Sequence, residues 1–374
     1  MADNTKIEWT DATWNPITGC SVVSPGCTNC YAMKLAGSRM KNHPSRAGLT
    51  RESKAGPVWT GEVRLNEQWL DQPLRWSKPR MIFVCAHGDL FAEGVPDEWI
   101  DRVFAVMALA DHHRFQVLTK RPERMRKYLL SPEVKSRIAM AMAVYSSSAT
   151  LDAIRRWSSL WGTRTAEGWP LPNVWLGVSV EDQTRADERI PILLDTPAAL
   201  RWISAEPLLG PLDFCKTSAA MTFPNHPWRN GPILQGIDWI VAGGESGPGA
   251  RPMHPDWIRS LRDQCEAAEV PFLFKQWGEW VPICEMEEEA TNACYRSNRI
   301  AKDHEDQGTL DEVYGRRQIK PSHVLHRDGS RHGILEPMAF QAGTGAMTMF
   351  AIGKKAAGRT LGGVTHDGFP DARP

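Results

Sequence analysis

Residues Met81 to Thr119 read MIFVCAHGDLFAEGVPDEWIDRVFAVMALADHHRFQVLT, and this stretch predicts one complete strand–helix–strand unit. Its first segment, Met81–Ala86, is apolar throughout, which is typical of a parallel strand covered on both faces. Apolar residues then recur at helical spacing from about Asp97 to Met107. The segment Arg114–Thr119 follows as a second strand, so the unit predicts a parallel sheet with a helix on one face.

The same alternation of short apolar segments and helical patterns continues along the chain, without the turn signals of hairpins. Further strands are predicted near 14–18 and at 174–179, 200–204, 239–242 and 270–274, and helices near 183–195 and 255–269. The predicted fold class is α/β: a complete or partial (β/α) barrel of about six to seven parallel strands. A doubly wound open sheet is the alternative, because sequence does not show whether a sheet closes.

Several hydrophilic or Gly/Pro-rich stretches interrupt this pattern, and we interpret them as insertions. The barrel is assigned to residues 1–283, with insertions near 144–172 and 212–236, and a hydrophilic insertion follows at 284–316. Residues 317–374 are predicted to form a small C-terminal extension that packs on the barrel. Asp328-Gly329 predicts a hairpin turn within this extension.

Composition sets limits on location and partners. Lys plus Arg and Asp plus Glu both number 44, so any nucleic-acid surface must come from local rather than net charge. The N-terminal residues lack the pattern of a secretory signal, and apolar runs are far shorter than the roughly 20 residues of a membrane helix. We therefore expect a cytoplasmic protein without a membrane partner. The 16 tryptophans indicate core packing for most of them and stacking surfaces for a few.

Three of the eight cysteines lie close together, at Cys20, Cys27 and Cys30, with the spacing C-x6-C-x2-C. In a cytosolic chain of this size a cysteine cluster predicts a metal site rather than disulfides. Gly19 and the Pro25-Gly26 turn allow the loop to direct three sulfur atoms to one point. Three thiolates favour an iron–sulfur cluster with one iron open to a small molecule, because a cubane cluster usually takes four.

Zinc is the competing metal at this site. Structural zinc takes four ligands, usually as two pairs, and the second pair is missing here. Cys85 and His43 are the candidates for a fourth ligand, although neither has a spacing that indicates this role.

Several motifs support a family resemblance. They are IEWTDATWNP from Ile7, GC from Gly19, GCTNCYA from Gly26, GDLF from Gly88, LTKRPER from Leu118, WLGVSVE from Trp175, SAEPL from Ser204, GGESG from Gly243, FKQWGEW from Phe274 and GKKAAG from Gly353. With them the chain resembles a phage-associated, three-cysteine family of uncharacterised function that is itself similar to radical SAM enzymes. The resemblance runs nearly from end to end.

The resemblance implies a 4Fe–4S cluster held by Cys20, Cys27 and Cys30, S-adenosylmethionine bound at its open iron, and a protein that supplies electrons. Radical SAM enzymes reductively cleave S-adenosylmethionine to a 5′-deoxyadenosyl radical, which takes hydrogen from the substrate. This chain departs from their usual C-x3-C-x2-C spacing. It also carries Asn29 where an aromatic residue often precedes the last cysteine.

Polar residues follow the predicted strands, at the end where barrels of this kind carry their sites. The candidates for cofactor binding are Asp89, Ser179, Glu181, Gly243 and Gly244, and Asp89 stands where radical SAM enzymes often contact the methionine amino group. No catalytic residue is assigned, and the candidates are Lys120, Glu206, Glu245 and Lys275. Nucleic-acid contacts are predicted by charge at Lys120, Arg121, Arg124 and Lys275, and by stacking at Trp277.

These features together lead us to expect an iron–sulfur, radical SAM-like enzyme that modifies or repairs a nucleic acid base or nucleotide. Its substrate would be DNA, RNA or a free nucleotide. One alternative is a non-catalytic nucleic-acid-binding protein of a phage or mobile element, stabilised by zinc or a cluster. Another is a radical enzyme that modifies a protein partner.

Overall fold

A seven-stranded parallel sheet forms the centre of the protein, which a computed structural model describes over Thr5 and residues 7–145, 169–215 and 233–370. The strands are β1 (Ala12–Trp14), β2 (Met81–Val84), β3 (Arg114–Thr119), β4 (Val174–Ser179), β5 (Leu200–Ala205), β6 (Trp239–Gly243) and β7 (Phe272–Gln276). They pair in chain order from β1 to β7. The fold is an α/β half-barrel, which confirms the predicted partial barrel of parallel strands.

The strand register brings the carboxyl ends of the strands together. Thr119 of β3 lies opposite Val178 of β4, and Ser179 lies opposite Ser204 of β5. Because all seven strands are parallel, the residues that follow them lie at one end of the sheet. We call this the C-terminal end of the sheet, and it carries the candidate site.

Ten α-helices are described, most of them between strands. They are α1 (Tyr31–Gly37), α2 (Glu67–Leu70), α3 (Asp97–Leu109), α4 (Pro122–Leu129), α5 (Val134–Met142), α6 (Gln183–Leu194), α7 (Pro255–Ala267), α8 (Glu288–Asn292), α9 (Gln307–Tyr314) and α10 (Lys354–Ala357). The helices after strands begin with helix-start signals: Asp182 caps α6 by accepting from the Arg185 amide at 2.9 Å, and acidic residues occupy the first turn of α3. Their apolar sides join the main core on one face of the sheet.

The other face of the sheet is filled largely by tryptophan. Trp175, Trp202 and Trp239 project from neighbouring strands, and the Trp9 ring lies 5.2 Å from that of Trp202. Gly177 makes room for this layer, since a Cβ there would lie 2.5 Å from the Trp202 ring. All four rings are buried, so they pack the core, as expected for most of the tryptophans.

The remaining strands are short or antiparallel. A second sheet contains β8 (Trp280–Pro282), β9 (Ser322–Leu325), β10 (Arg331–His332) and β11 (Met347–Ala351). Four two-stranded pairs join 17–18 to 64–65, 50–51 to 58–59, 295–296 to 317–318, and 360–361 to 364–365. The turn between β9 and β10 contains Gly329 with φ +91°, which confirms the predicted hairpin at Asp328-Gly329.

The proposed division into domains stays a prediction. Of the two insertions near 144–172 and 212–236, residues 146–168 and 216–232 lie outside the described part of the chain. The stretch 284–316 contains α8 and α9. Among the described residues, no helix combines the length and the apolar composition needed to cross a membrane.

Candidate functional site

The segment Gly19–Cys30, which we call the cysteine loop, runs over the C-terminal end of the sheet. It starts at Gly19, whose φ of +95° and close approach to Glu62 exclude a side chain: a Cβ would lie 2.2 Å from the Glu62 carbonyl oxygen. Gly19 also forms a bridge with Gly88, which follows β2. The loop ends where α1 begins at Tyr31. Three sets of buried charged residues hold the loop in place. They are Arg121 with Asp89 at the ends of β3 and β2, Glu181 at the end of β4, and Glu245 at the end of β6.

The first of these groups is Arg121, which follows β3. Its guanidinium donates to the Ser21 carbonyl at 3.0 Å and to the Cys20 sulfur at 3.5 Å. Asp89 and Glu93 each accept from it at 2.9 Å. Burial lowers the pKa of Arg121, but Asp89 and Cys20 outweigh that effect and raise it, so the guanidinium stays charged beside the first cysteine.

Asp89, the predicted cofactor ligand, orients this arginine. One carboxylate oxygen accepts from the Thr119 hydroxyl at 2.7 Å and from the Phe91 amide at 2.9 Å. The other accepts from Arg121 at 2.9 Å and from the Lys120 amide at 3.2 Å. A contact with a cofactor amino group, which stays a prediction, would have to replace one of these four hydrogen bonds.

The second group is Glu181, which follows β4 and is 0% exposed. Its carboxylate accepts from the Gly26 amide at 3.2 Å and from Arg189 at 3.0 Å, and the Lys120 ammonium lies 3.9 Å away. Burial raises the pKa of Glu181, but Lys120 and Arg189 outweigh burial and lower it. A Cβ on Gly26 would lie 3.0 Å from the carboxylate carbon, so glycine allows this approach.

The third group is Glu245, which follows β6. It accepts from the Asn29 side-chain amide at 2.9 Å and from Arg251 at 2.6 and 2.9 Å. Arg251 also donates to the Pro25 carbonyl at 3.0 Å. Burial raises the pKa of Glu245, and the hydrogen bonds from Arg251 and Asn29 outweigh it and lower the pKa. The Asn29 side chain therefore attaches the loop to Glu245. This contact is a structural reason for asparagine, rather than an aromatic residue, before the last cysteine.

The pKa values of Cys20 and Cys30 are raised in part by other thiols of the cysteine loop. Burial is the main cause that raises the pKa of Cys20 to about 12, and Cys27 and Cys30 raise it further. The pKa of Cys30 is also raised, first by burial and then by Cys27, while Lys120 lowers it. Three cysteines in one short loop, with Arg121 donating to the Cys20 sulfur at 3.5 Å, supply the ligand type and number that a three-thiolate cluster would need.

The two candidate fourth ligands have other neighbours. Burial raises the pKa of Cys85 to about 12, and its other influences are Ile17, Asp89 and Arg46. Nδ1 of His43 lies 2.7 Å from the Ser45 hydroxyl. Within the described ranges, no three His, Cys, Asp or Glu side chains are placed to hold a single metal ion. In a cluster the cysteines bind different iron atoms and need not converge on one ion.

Further polar groups lie at the ends of β5 and β7. Both oxygens of Glu206 accept from the Lys275 ammonium, at 2.7 and 2.9 Å. Gln276 donates to the Ser246 hydroxyl at 2.8 Å, and its side-chain carbonyl oxygen is buried without a hydrogen-bond partner in the described structure. Buried acceptors of this kind are usually met by water or a ligand. Of the four catalytic candidates, Lys275 and Glu206 form one pair, whereas Lys120 and Glu245 support the loop.

The structure contradicts the prediction that Trp277 stacks on a base. Trp277 is 1% exposed, its indole nitrogen donates to the Thr360 carbonyl at 2.8 Å, and its ring packs edge-on against Phe274. It therefore has no free face for a base. Tyr31 is the exposed aromatic residue that sequence reasoning missed: 56% of it is exposed, and its hydroxyl donates to the Ala86 carbonyl after β2. No sequence pattern separated it from the many aromatic core residues.

The nucleic-acid contacts expected at four basic residues stay a prediction, and the structure shows the acidic groups around them. Each of the four basic residues has an acidic neighbour: Lys120 has Glu181 at 3.9 Å, Arg121 has Asp89 at 2.9 Å, Arg124 has Asp97 at 3.0 Å, and Lys275 has Glu206 at 2.7 Å. Arg124 is used at the start of α3, where it also donates to the Val95 carbonyl. Charges paired in this way leave little positive potential for phosphates.

The remaining cofactor candidates have local explanations. A Cβ on Gly244 would lie 1.9 Å from the Trp277 carbonyl oxygen, and one on Gly243 would lie 3.2 Å from that of Gln276. These glycines therefore permit close approach of neighbouring backbone at β7, and a ligand contact is not needed to explain them. Ser179 is buried, and its carbonyl accepts from Arg189 at 2.8 Å. Arg189, missed from the sequence, thus supports both Ser179 and the Glu181 anchor.

Comparison with known proteins gives one match. The family described as protein of unknown function (DUF5131) matches residues 4–370, nearly the whole chain. No curated protein and no solved structure matches.

Proposed function

This chain belongs to the DUF5131 family, and we propose that it is an iron–sulfur, radical SAM-like enzyme that acts on a nucleic acid base or a nucleotide. One observation carries the proposal. A loop that carries three cysteines is fastened by Arg121, Glu181 and Glu245 over the C-terminal end of a parallel half-barrel. This is the end at which such folds carry their chemistry.

Cys20, Cys27 and Cys30 would hold the cluster in this proposal. A reduced cluster would supply one electron to cleave the C–S bond of bound S-adenosylmethionine, which would give methionine and a 5′-deoxyadenosyl radical that takes hydrogen from the substrate. The chain itself supplies charge and rigidity. Arg121 donates to the Cys20 sulfur at 3.5 Å and offsets negative charge there, and Lys120 does the same near Cys30.

Substrate binding is proposed at the neighbouring groups. The exposed Tyr31 ring offers a flat face to a base, adjacent to Cys30. The pair Lys275 and Glu206 presents a donor and an acceptor, and the unpartnered carbonyl of Gln276 accepts from an N–H or O–H. These groups would orient a polar, planar substrate beside the cluster by hydrogen bonds and stacking.

The experiment is reductive cleavage of S-adenosylmethionine by anaerobically purified protein. Dithionite should release 5′-deoxyadenosine with the wild type and not with Cys27→Ala. Cys265→Ala is the matched control, because Cys265 lies buried on α7, outside the cysteine loop. Absence of 5′-deoxyadenosine from iron-loaded wild type would refute the radical SAM assignment.

The two alternatives give different results in the same preparation. Stoichiometric zinc without iron, together with salt-dependent binding to DNA or RNA, would support the non-catalytic binding protein instead. Release of 5′-deoxyadenosine that nucleotides and oligonucleotides do not stimulate, but a protein extract does, would favour a protein substrate.

A further inference from the structure

Two arginines close to the cysteine loop have no acidic partner among the residues that the structure describes. Arg46 is 3% exposed, and its guanidinium donates to the carbonyl and hydroxyl oxygens of Ser45, at 3.1 and 2.8 Å, and to Nδ1 of His87 at 2.6 Å. Its Nε has no hydrogen-bond partner in the described structure. Arg64 donates to the carbonyls of Pro44 and Ala47, at 2.5 and 2.7 Å. All of these acceptors are neutral.

The two guanidinium groups also repel each other. The pKa of Arg46 is lowered to about 10, first by burial and then by Arg64. Burial and the nearby Arg46 lower the pKa of His87 to about 4, so its imidazole is neutral. Because its Nδ1 accepts from Arg46, its proton lies on Nε2, which is a further donor. Buried charges in proteins are normally paired, so this arrangement calls for an anion.

Most other cations at this end of the sheet are paired. Five of them have a carboxylate within 4.0 Å: Lys120 with Glu181, Arg121 with Asp89, Arg189 with Glu181, Arg251 with Glu245, and Lys275 with Glu206. Lys34 on α1 donates instead to the side-chain oxygen of Asn29 and to the Pro248 carbonyl, at 2.9 and 2.6 Å. Within the described ranges, Arg46 and Arg64 have no carboxylate at this distance. These two arginines therefore lie together at the 44–47 turn with only neutral acceptors, and Arg46 is buried there.

We propose that Arg46 and Arg64 bind a phosphate group of the substrate. This rests on the proposed function of the same site. A guanidinium fork binds phosphate through two parallel hydrogen bonds, and a doubly charged phosphomonoester matches two cations better than a singly charged carboxylate does. His87, which accepts from Arg46, has its ring centroid 6.1 Å from that of Tyr31, so a bound nucleotide would have its phosphate at the arginines and its base near the exposed Tyr31 ring.

The test is a calorimetric titration of the full chain with inorganic phosphate, adenosine monophosphate and acetate at constant ionic strength. Wild type should bind phosphate, and the nucleotide more tightly than phosphate. Removing a charged hydrogen-bond donor should weaken both by about tenfold or more in Arg46→Gln and Arg64→Gln. Arg39→Gln is the matched control, because Arg39 lies exposed after α1 on the same stretch of chain.

Several results would overturn the inference. They are no phosphate binding by folded wild type, acetate binding as tight as phosphate, nucleotide binding no tighter than phosphate, or an equal loss in Arg39→Gln. If Arg46→Gln does not fold, the wild-type titration and Arg64→Gln still decide. Iron and sulfide are measured in the same samples, so a chain that binds phosphate but holds no iron contradicts the proposed function alone.

Discussion

Replacing Glu181 by glutamine should loosen the cysteine loop, and the size of the effect can be estimated from its contacts. The carboxylate is 0% exposed, accepts hydrogen bonds from the Gly26 amide and Arg189, and lies 3.9 Å from the Lys120 ammonium. Glutamine keeps the shape but removes the charge, and its amino group must face one of these donors. Removing one partner of a buried ion pair costs about 3–5 kcal/mol. Since glutamine retains one acceptor oxygen, we expect a loss of about 2–4 kcal/mol in the free energy of unfolding.

For a chain of this length that loss corresponds to a fall in Tm of about 3–5 °C, measured by thermal unfolding of iron-free protein. Iron content after anaerobic reconstitution should fall as well, because the loop loses its contact at Gly26. The matched control is Glu188→Gln on α6, which removes an exposed carboxylate 3.3 Å from Arg185 and should cost about 0–1 kcal/mol. If Glu181→Gln melts and retains iron like the control, Glu181 does not anchor the loop.

Three further variants and one pH series probe other contacts. Gly26→Ala should lower iron retention, because its Cβ would lie 3.0 Å from the Glu181 carboxylate carbon; normal iron content would contradict this reasoning. Cys85→Ser should retain iron, measured by metal analysis, because the proposed cluster takes its ligands from Cys20, Cys27 and Cys30. Tyr31→Ala should weaken nucleotide binding by about 1–3 kcal/mol if its ring stacks on the base, by calorimetry. The pKa of Glu245 is lowered from 4.5 in the folded chain, so its contribution to the free energy of unfolding is complete above about pH 4.5 and is lost as the pH falls further. The free energy of unfolding of Glu245→Gln, measured with denaturant, should therefore fall less than that of the wild type as the pH is lowered.

Periodicity was sufficient to predict the sheet. The strands Arg114–Thr119 and Val174–Ser179 have the predicted bounds: each is short, mostly buried and rich in apolar residues, which favours a strand of a covered parallel sheet. The first strand was predicted near 14–18 and lies at Ala12–Trp14 instead. Residues 17–18 pair with 64–65 in a separate antiparallel ribbon, a long-range contact that a local pattern does not contain.

The candidate site was predictable in position but not in the partners of its side chains. Sequence placed Asp89, Glu181 and Glu245 after strands, and the structure brings all three to the cysteine loop. It could not show that most basic residues there are neutralised, since pairing joins residues such as Lys275 and Glu206, which lie 69 positions apart. The unpaired Arg46 sits in a stretch without any motif.

The most direct measurement of the central claim is the iron and acid-labile sulfide content of anaerobically purified protein, with its EPR spectrum after reduction. We expect about four iron and four sulfide per chain and broad absorption at about 400 nm. The iron, the sulfide and the absorption should all be lost in Cys20→Ala, Cys27→Ala and Cys30→Ala. S-adenosylmethionine should change the EPR spectrum, because three thiolates leave one iron open. Stoichiometric zinc without iron, or a cluster that survives all three substitutions, would contradict the central claim.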